Sequence, residues 1–150
     1  MFKNILVPYD GSDPSKNALK AALDVAKTSN AKLHLLHVIQ EIILPNYYTR
    51  SQLNKTMKEY EKEIYADLKE KATLMLKEQQ KKAESAGVQV DINTAYGSTA
   101  KEILGFVKIN KIDLVIIGTT SRKGLSRIIA LGSVARKVSE ESPVPVLLIH

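Results

Sequence analysis

A stretch of glycine, serine and basic residues in the C-terminal third has the composition of a phosphate-binding loop. Gly118 ends an apolar run, and Gly132-Ser133 precedes a segment with helical character. From residue 119 to residue 137 there is no acidic residue and there are five basic ones, which are Arg122, Lys123, Arg127, Arg136 and Lys137. Glycine lets backbone N–H groups approach an anion closely, and the first N–H groups of a helix lack internal partners. The stretch therefore predicts a phosphorylated ligand, although Ser133 fits a helix cap equally well.

A second group with chemical potential follows the first apolar run of the chain. This run ends at Pro8-Tyr9-Asp10, and Gly11-Ser12 comes next. Asp10 offers a carboxylate that either faces a ligand or bonds its own backbone in an Asx turn. Both candidate loops follow predicted strands, so they would face one crevice if those two strands are neighbours in a sheet.

Strand and helix patterns alternate along the whole chain. Strands are predicted over residues 3–7, 32–39, 88–92, 113–117 and 144–149. Between them lie a helix capped by Ser12 or Asp13, a long amphipathic helix from Leu53 to Gly87, a helix opened by Ser98 or Thr99, and a helix over 134–141. This alternation predicts one domain over residues 1–150, with an α/β, doubly wound, five-stranded parallel sheet and about four helices.

Composition and length exclude several classes of function. The 150 residues contain no cysteine, which excludes disulfides and thiolate catalysis. No apolar run approaches the roughly 20 residues that cross a bilayer, and the N-terminal run is too short for a signal peptide, so we expect a cytoplasmic protein without a membrane contact. The net charge is +6. Much of this charge follows Gly118, which favours a local anion over DNA bound through Arg122, Lys123 and Arg127.

The usual catalytic patterns are also absent from the sequence. There is no P-loop, no Rossmann glycine fingerprint after the first strand and no cluster of acids like that of a receiver domain. His34 and His37 differ by an odd number within one predicted strand, so they face opposite sides and do not share a metal.

Several segments, in this order and spacing, resemble the universal stress protein family over essentially the full length of the chain. They are Ile5 to Ser12, Leu35 to Val38, Gly97-Ser98 with Glu102-Ile103, Leu125-Ser126-Arg127, Gly132 to Ala135, and Pro143 to Ile149. The resemblance implies a Rossmann-like fold with strand order 3-2-1-4-5.

Members of that family that bind ATP carry Gly, two residues, Gly, nine residues, and then Gly-Ser or Gly-Thr. Gly118 and Gly132-Ser133 match the two ends of this motif. Ser121 replaces the middle glycine, and ten residues rather than nine separate it from Gly132. The resemblance therefore implies an adenine nucleotide, namely ATP, ADP or AMP, with or without Mg²⁺. Because Asp10 is the only evident general base, we expect binding and signalling in a stress response, with at most slow ATP hydrolysis.

The resemblance also implies a role for individual residues. Asp10 would lie near adenine and ribose, and the backbone of Val38 would read the adenine edge. The full predicted binding set is Pro8, Tyr9, Asp10, Val38, Gly118, Ser121, Arg122, Gly132, Ser133 and Val134. Pro8 and Val38 also fit the roles of a strand end and a core residue.

Two further expectations concern partners. The prolines at the start of the last strand, from Val144 to Ile149, suit an edge strand, and an apolar edge invites pairing with another copy. The resemblance implies the same homodimer. The alternative function is a nucleotide-independent interaction module of the same fold, in which the long helix and the loop around Pro45, Tyr47 and Tyr48 present the partner surface.

Overall fold

The structure is a computed structural model that describes residues 1–41, 56–119 and 132–150. These residues form an alternating series of five strands and four helices. The elements are β1 (Asn4–Pro8), α1 (Asp13–Ser29), β2 (Lys32–Ile39), α2 (Thr56–Ser85), β3 (Val90–Tyr96), α3 (Thr99–Ile109), β4 (Leu114–Gly118), α4 (Ser133–Glu141) and β5 (Val146–Ile149).

The five strands form one parallel sheet in the order β3-β2-β1-β4-β5. The predicted fold class and strand order are therefore confirmed. β1 lies between its two neighbours, with Val7 opposite Leu35 of β2 and Leu6 opposite Val115 of β4. The winding direction reverses between β1 and β4, which is where ligands bind in open sheets of this kind.

Both faces of the sheet are buried because successive residues of a strand point to opposite sides. On one face Val7 and Leu35 pack with α1 and α2. On the other face Leu6, Leu36 and Val115 pack with α3 and α4. Burial on both sides explains why the central strands read as continuous apolar runs.

The outer strands differ from their predicted bounds: β3 is shifted and runs from Val90 to Tyr96 rather than over 88–92, and β5 is shorter than the predicted 144–149. β3 begins at Val90, although Val88 before it is buried. β5 begins at Val146, because the segment before it contains two prolines that lack a backbone donor. The carbonyl of Pro145 nevertheless accepts a hydrogen bond from the Val115 N–H at 3.0 Å, so the chain is already aligned with β4 there.

The long helix α2 packs on the sheet through its second half. Ala72, Leu76 and Ala83 are buried, whereas Tyr60 is 59% exposed and Leu68 is 37% exposed. The apolar stripe of this amphipathic helix, which we expected to pack on the sheet from Leu53 onward, is therefore exposed in the first half of α2, and Leu53 lies outside the described residues. None of the helices within the described ranges is long and apolar enough to cross a membrane.

Candidate functional site

A cavity of about 810 Å³ lies at the carboxyl ends of β1, β2 and β4. It occupies the point where the winding of the sheet reverses. Eight of the predicted residues line it, namely Pro8, Tyr9, Asp10, Val38, Gly118, Gly132, Ser133 and Val134. The other two, Ser121 and Arg122, lie outside the described residues. Tertiary structure thus brings together two loops that are more than 100 residues apart in the sequence.

Asp10 lies on the rim of this cavity and also organises the β1–α1 turn. Its Oδ1 accepts hydrogen bonds from the Ser12 N–H at 2.9 Å and from the Ser12 hydroxyl at 2.5 Å. The Asx turn that the sequence allowed is therefore present, and Asp10 lines the cavity as well.

The environment of Asp10 favours its ionised form. Burial alone would raise the pKa of this carboxyl, but hydrogen bonds from Ser12 and Ser15, with the nearby His37, outweigh burial and lower the pKa. The cavity therefore presents an anionic group at its β1 side.

The first turn of α1 forms another part of the wall. Ser12 is the N-cap residue, and its hydroxyl accepts from the Ser15 N–H at 3.4 Å. Pro14 occupies the first turn, where its missing N–H would have no partner. Between β1 and this helix Gly11 has φ +81, a left-handed conformation that favours glycine. Of the two capping residues that the sequence allowed, Ser12 and Asp13, it is therefore Ser12 that caps α1.

The opposite wall includes the N-terminus of α4. Gly132 is the N-cap residue, so Ser133 is the first residue of the helix and does not cap it; the capping alternative was wrong. Gly132 has no side chain to cap with, and the first turn contains no acidic residue. The first intrahelical bond of this turn is donated by the Arg136 N–H to the Gly132 carbonyl at 3.0 Å. The N–H groups before it lie at the positive end of the helix dipole, where anions are stabilised.

His37 belongs to the cavity wall, and the sequence analysis did not assign it there. Its Nδ1 lies 2.9 Å from the carbonyl oxygen of Tyr9, and the Tyr9 N–H donates to the Leu36 carbonyl at 2.8 Å. The end of β2 therefore holds the residue before Asp10 through two hydrogen bonds. The position of His37 directly before Val38 was the signal that could have identified it.

Helix α2 supplies wall residues that no local pattern could reveal. Leu68, Lys71, Ala72 and Met75 line the cavity. Their segment is separated from β2 by a long connection, so only the packing of α2 on the sheet places them there. Besides lining the cavity, Lys71 forms an exposed i,i+4 ion pair with Asp67 at 3.1 Å.

Tyr9 contributes more to the core than to the cavity. It is 3% exposed and packs in the cluster between the sheet and the α1–α2 layer. Burial, followed by the charges of Glu78 and Asp10, raises the pKa of its phenol, so the side chain stays neutral. Its backbone, through the N–H bonded to Leu36 and the carbonyl bonded to His37, contacts the β2 end of the site.

The second histidine of β2, His34, lies away from the cavity. His34 faces the opposite side of β2, where Nε2 is 3.1 Å from Asn4 Oδ1 and the ring stacks edge-on against Phe106. Burial lowers the pKa of His34. No group of three metal-ligating side chains occurs in the ranges that the structure describes.

The fold and the cavity define an α/β protein of the doubly wound class, with a ligand-sized site at the reversal point of its sheet. The chain belongs to the universal stress protein family, whose profile matches residues 1–150. The resemblance noted in the sequence is thereby confirmed.

Individual relatives are similar along their whole length. Universal stress protein YxiE of Bacillus subtilis is 36% identical over 153 residues, covering 100% of both chains. The structure of protein MJ0577, a universal stress protein of Methanocaldococcus jannaschii, has a TM-score of 0.80 at 29% identity and covers 99% of this chain and 96% of that one. A universal stress protein in complex with cAMP has a TM-score of 0.63 at 25% identity, covering 99% and 97% of the two chains.

Proposed function

We propose that this protein binds an adenine nucleotide, ATP above all, in the cavity between the β1–α1 turn and the N-terminus of α4. The observation that carries the proposal is the opposition of Asp10 to an uncapped helix N-terminus across one cavity. A carboxylate suits ribose hydroxyls and base amines, and free backbone N–H groups suit phosphates.

The size and lining of the cavity support a ligand of this kind. Its volume of about 810 Å³ lies within the range of roughly 300–1,000 Å³ that is usual for small-molecule sites. Pro8, Ala72 and Met75 supply apolar surface for a flat base at the end where β1 and β2 stop. The related universal stress protein that binds cAMP provides further support, because cAMP joins an adenine base to a phosphate.

In this proposal, nucleotide occupancy is the signal and the protein is a binding module of the stress response. Fast turnover is not expected, because Asp10 is bonded to Ser12, Lys71 is paired with Asp67 and the Tyr9 phenol is buried, which leaves His37 as the remaining acid or base of the described wall. The homodimer through β5, the participation of Mg²⁺ and the cytoplasmic location stay predictions.

The test places a negative charge where the phosphates would bind. Ser133→Asp is expected to weaken ATP binding by about tenfold or more, measured by calorimetry, because like charges repel in a partly enclosed site. The same change favours the helix itself, since acidic residues are stabilising in a first turn. Ser139→Asp, on the exposed far part of α4, is the matched control and should leave ATP affinity within about twofold.

The second candidate function is a nucleotide-independent interaction module, which the exposed apolar side chains of α2 favour. Tyr60 is 59% exposed and Leu74 is 62% exposed. The folded wild-type protein would then show no heat with millimolar ATP, ADP or AMP, and no nucleotide would appear in mass spectra of the denatured purified protein. That result would rule out the first proposal.

A further inference from the structure

The contact of His37 with Tyr9 defines which ring nitrogen of His37 carries a proton. Its Nδ1 lies 2.9 Å from the Tyr9 carbonyl oxygen. A carbonyl oxygen only accepts hydrogen bonds, so Nδ1 must carry a proton and donate it. In the neutral imidazole the other nitrogen, Nε2, is then an acceptor with a free lone pair. Nε2 has no hydrogen-bond partner among the residues that the structure describes.

His37 lies at the end of the cavity that the proposed function assigns to the base. His37 is half-buried, lines the cavity and directly precedes Val38, which lines it from the other face of β2. On the side of His37 the apolar wall is provided by Ala72 and Met75 of α2. A flat base placed there has its polar edge toward the ends of β1 and β2.

We propose that Nε2 of His37 accepts a hydrogen bond from the exocyclic 6-amino group of the bound purine, and so selects adenine over 6-oxo purines. The inference rests on the proposed nucleotide function and adds to it a residue that determines base specificity. Adenine carries an amino donor at position 6, whereas hypoxanthine and guanine carry a carbonyl acceptor. An acceptor facing an acceptor leaves both groups unpaired, which a half-buried site penalises.

The surrounding charges are compatible with this role. Asp10 in the β1–α1 turn and Lys71 on α2 are the charged residues of the described cavity wall, and the Tyr9 phenol beneath it stays neutral. Asp10 is engaged by Ser12, and Lys71 is paired with Asp67. Within the described part of the chain, neither residue forms a hydrogen bond or ion pair with a His37 ring nitrogen, so Nε2 stays available to a ligand.

The decisive measurement compares two nucleotides that differ only around position 6 of the base. ATP and inosine triphosphate are titrated into the full-length protein by calorimetry at pH 8, where imidazoles are normally neutral. Wild type is expected to prefer ATP. The preference is expressed as the dissociation constant for inosine triphosphate divided by that for ATP. In His37→Phe, which keeps a ring but removes both nitrogens, this ratio should fall by about threefold to tenfold, the effect of one neutral hydrogen bond.

Two further variants distinguish selection of the base from support of the turn. His37→Gln keeps a group that can bond the Tyr9 carbonyl, yet its amide both donates and accepts, so it should also lower the ratio. His34→Gln, in the same strand and outside the cavity wall, should leave the ratio as it is in wild type. Circular dichroism of each variant confirms that it is folded.

The outcomes separate the possible failures. If both affinities fall equally in the His37 variants and the ratio is unchanged, the ring only holds Tyr9 and the inference is wrong. A wild-type protein that binds ATP and inosine triphosphate equally also overturns it, while leaving nucleotide binding intact. If wild type binds neither nucleotide, the proposed function and this inference fall together.

Discussion

Gly118 and Pro14 are in such close contact that no other residue type fits at position 118. A Cβ on Gly118 would lie 2.3 Å from the carbonyl oxygen of Pro14 and 2.8 Å from its Cβ. The first turn of α1 therefore rests directly on the end of β4. This contact gives Gly118 a structural reason to be glycine, beyond the approach of an anion that its position in the loop suggests. It also holds the two sides of the cavity together.

Gly118→Ala is expected to lower the free energy of unfolding by about 1–3 kcal/mol, the usual cost of forcing a methyl group into packed atoms. Backbone atoms of Pro14 form the obstacle, so α1 or β4 must shift. Urea denaturation followed by circular dichroism measures the effect. Gly105→Ala, inside α3 with nothing within 4 Å of the added Cβ, is the control and should stabilise by about 0.5–1 kcal/mol. Equal stability of Gly118→Ala and wild type would contradict the contact.

His34 should make stability depend on pH. Burial lowers the pKa of His34 from its ordinary 6.5. Below pH 6.5 the unfolded chain therefore binds a proton that the folded protein does not, and the unfolded state is favoured. The neutral imidazole contributes fully to the free energy of unfolding above pH 6.5. This contribution is lost as pH falls through the folded pKa, with a slope of at most about 1.4 kcal/mol per pH unit.

Urea denaturation between pH 8 and pH 5 checks this expectation. The difference in unfolding free energy between wild type and His34→Gln should shrink as pH falls, because glutamine does not titrate. Its amide can still pair with Asn4, which accepts at 3.1 Å in wild type. Parallel curves for the two proteins over the whole range would show that His34 does not titrate differently on folding.

The edge strand β5 leads to a prediction about assembly. β5 pairs with β4 on one side, and Leu147 is 41% exposed. If two copies pair along this edge, Leu147→Lys should convert a dimer to a monomer in sedimentation velocity, because a charge on an edge strand opposes pairing. Ile109→Lys is the control: this residue is 82% exposed at the end of α3 and should leave the dimer intact. A wild-type monomer at micromolar concentration would contradict the prediction.

The sequence predicted the sheet well because each central strand is a short, continuous apolar run that can be recognised locally. Leu35 and Leu36 are apolar neighbours that point to opposite faces, and both are buried. The same reasoning from local pattern wrongly predicted burial along all of α2. Tyr60 has the helical spacing of the buried residues, but it lies beyond the sheet that would cover it. Periodicity identifies a face of a helix, and only the length of the partner surface decides how much of that face is buried.

By itself, the sequence determined the element order, the parallel sheet and the two loops that flank the cavity. Those properties follow from short-range periodicity and from the turn chemistry of glycine, proline and Asx residues. Tertiary structure alone decided three things: that Gly132 rather than Ser133 caps α4, that Gly118 abuts Pro14, and that α2 and His37 complete the wall. The last two depend on distances between segments remote in the chain, which no local pattern encodes, whereas at α4 both adjacent residues fitted the local capping pattern.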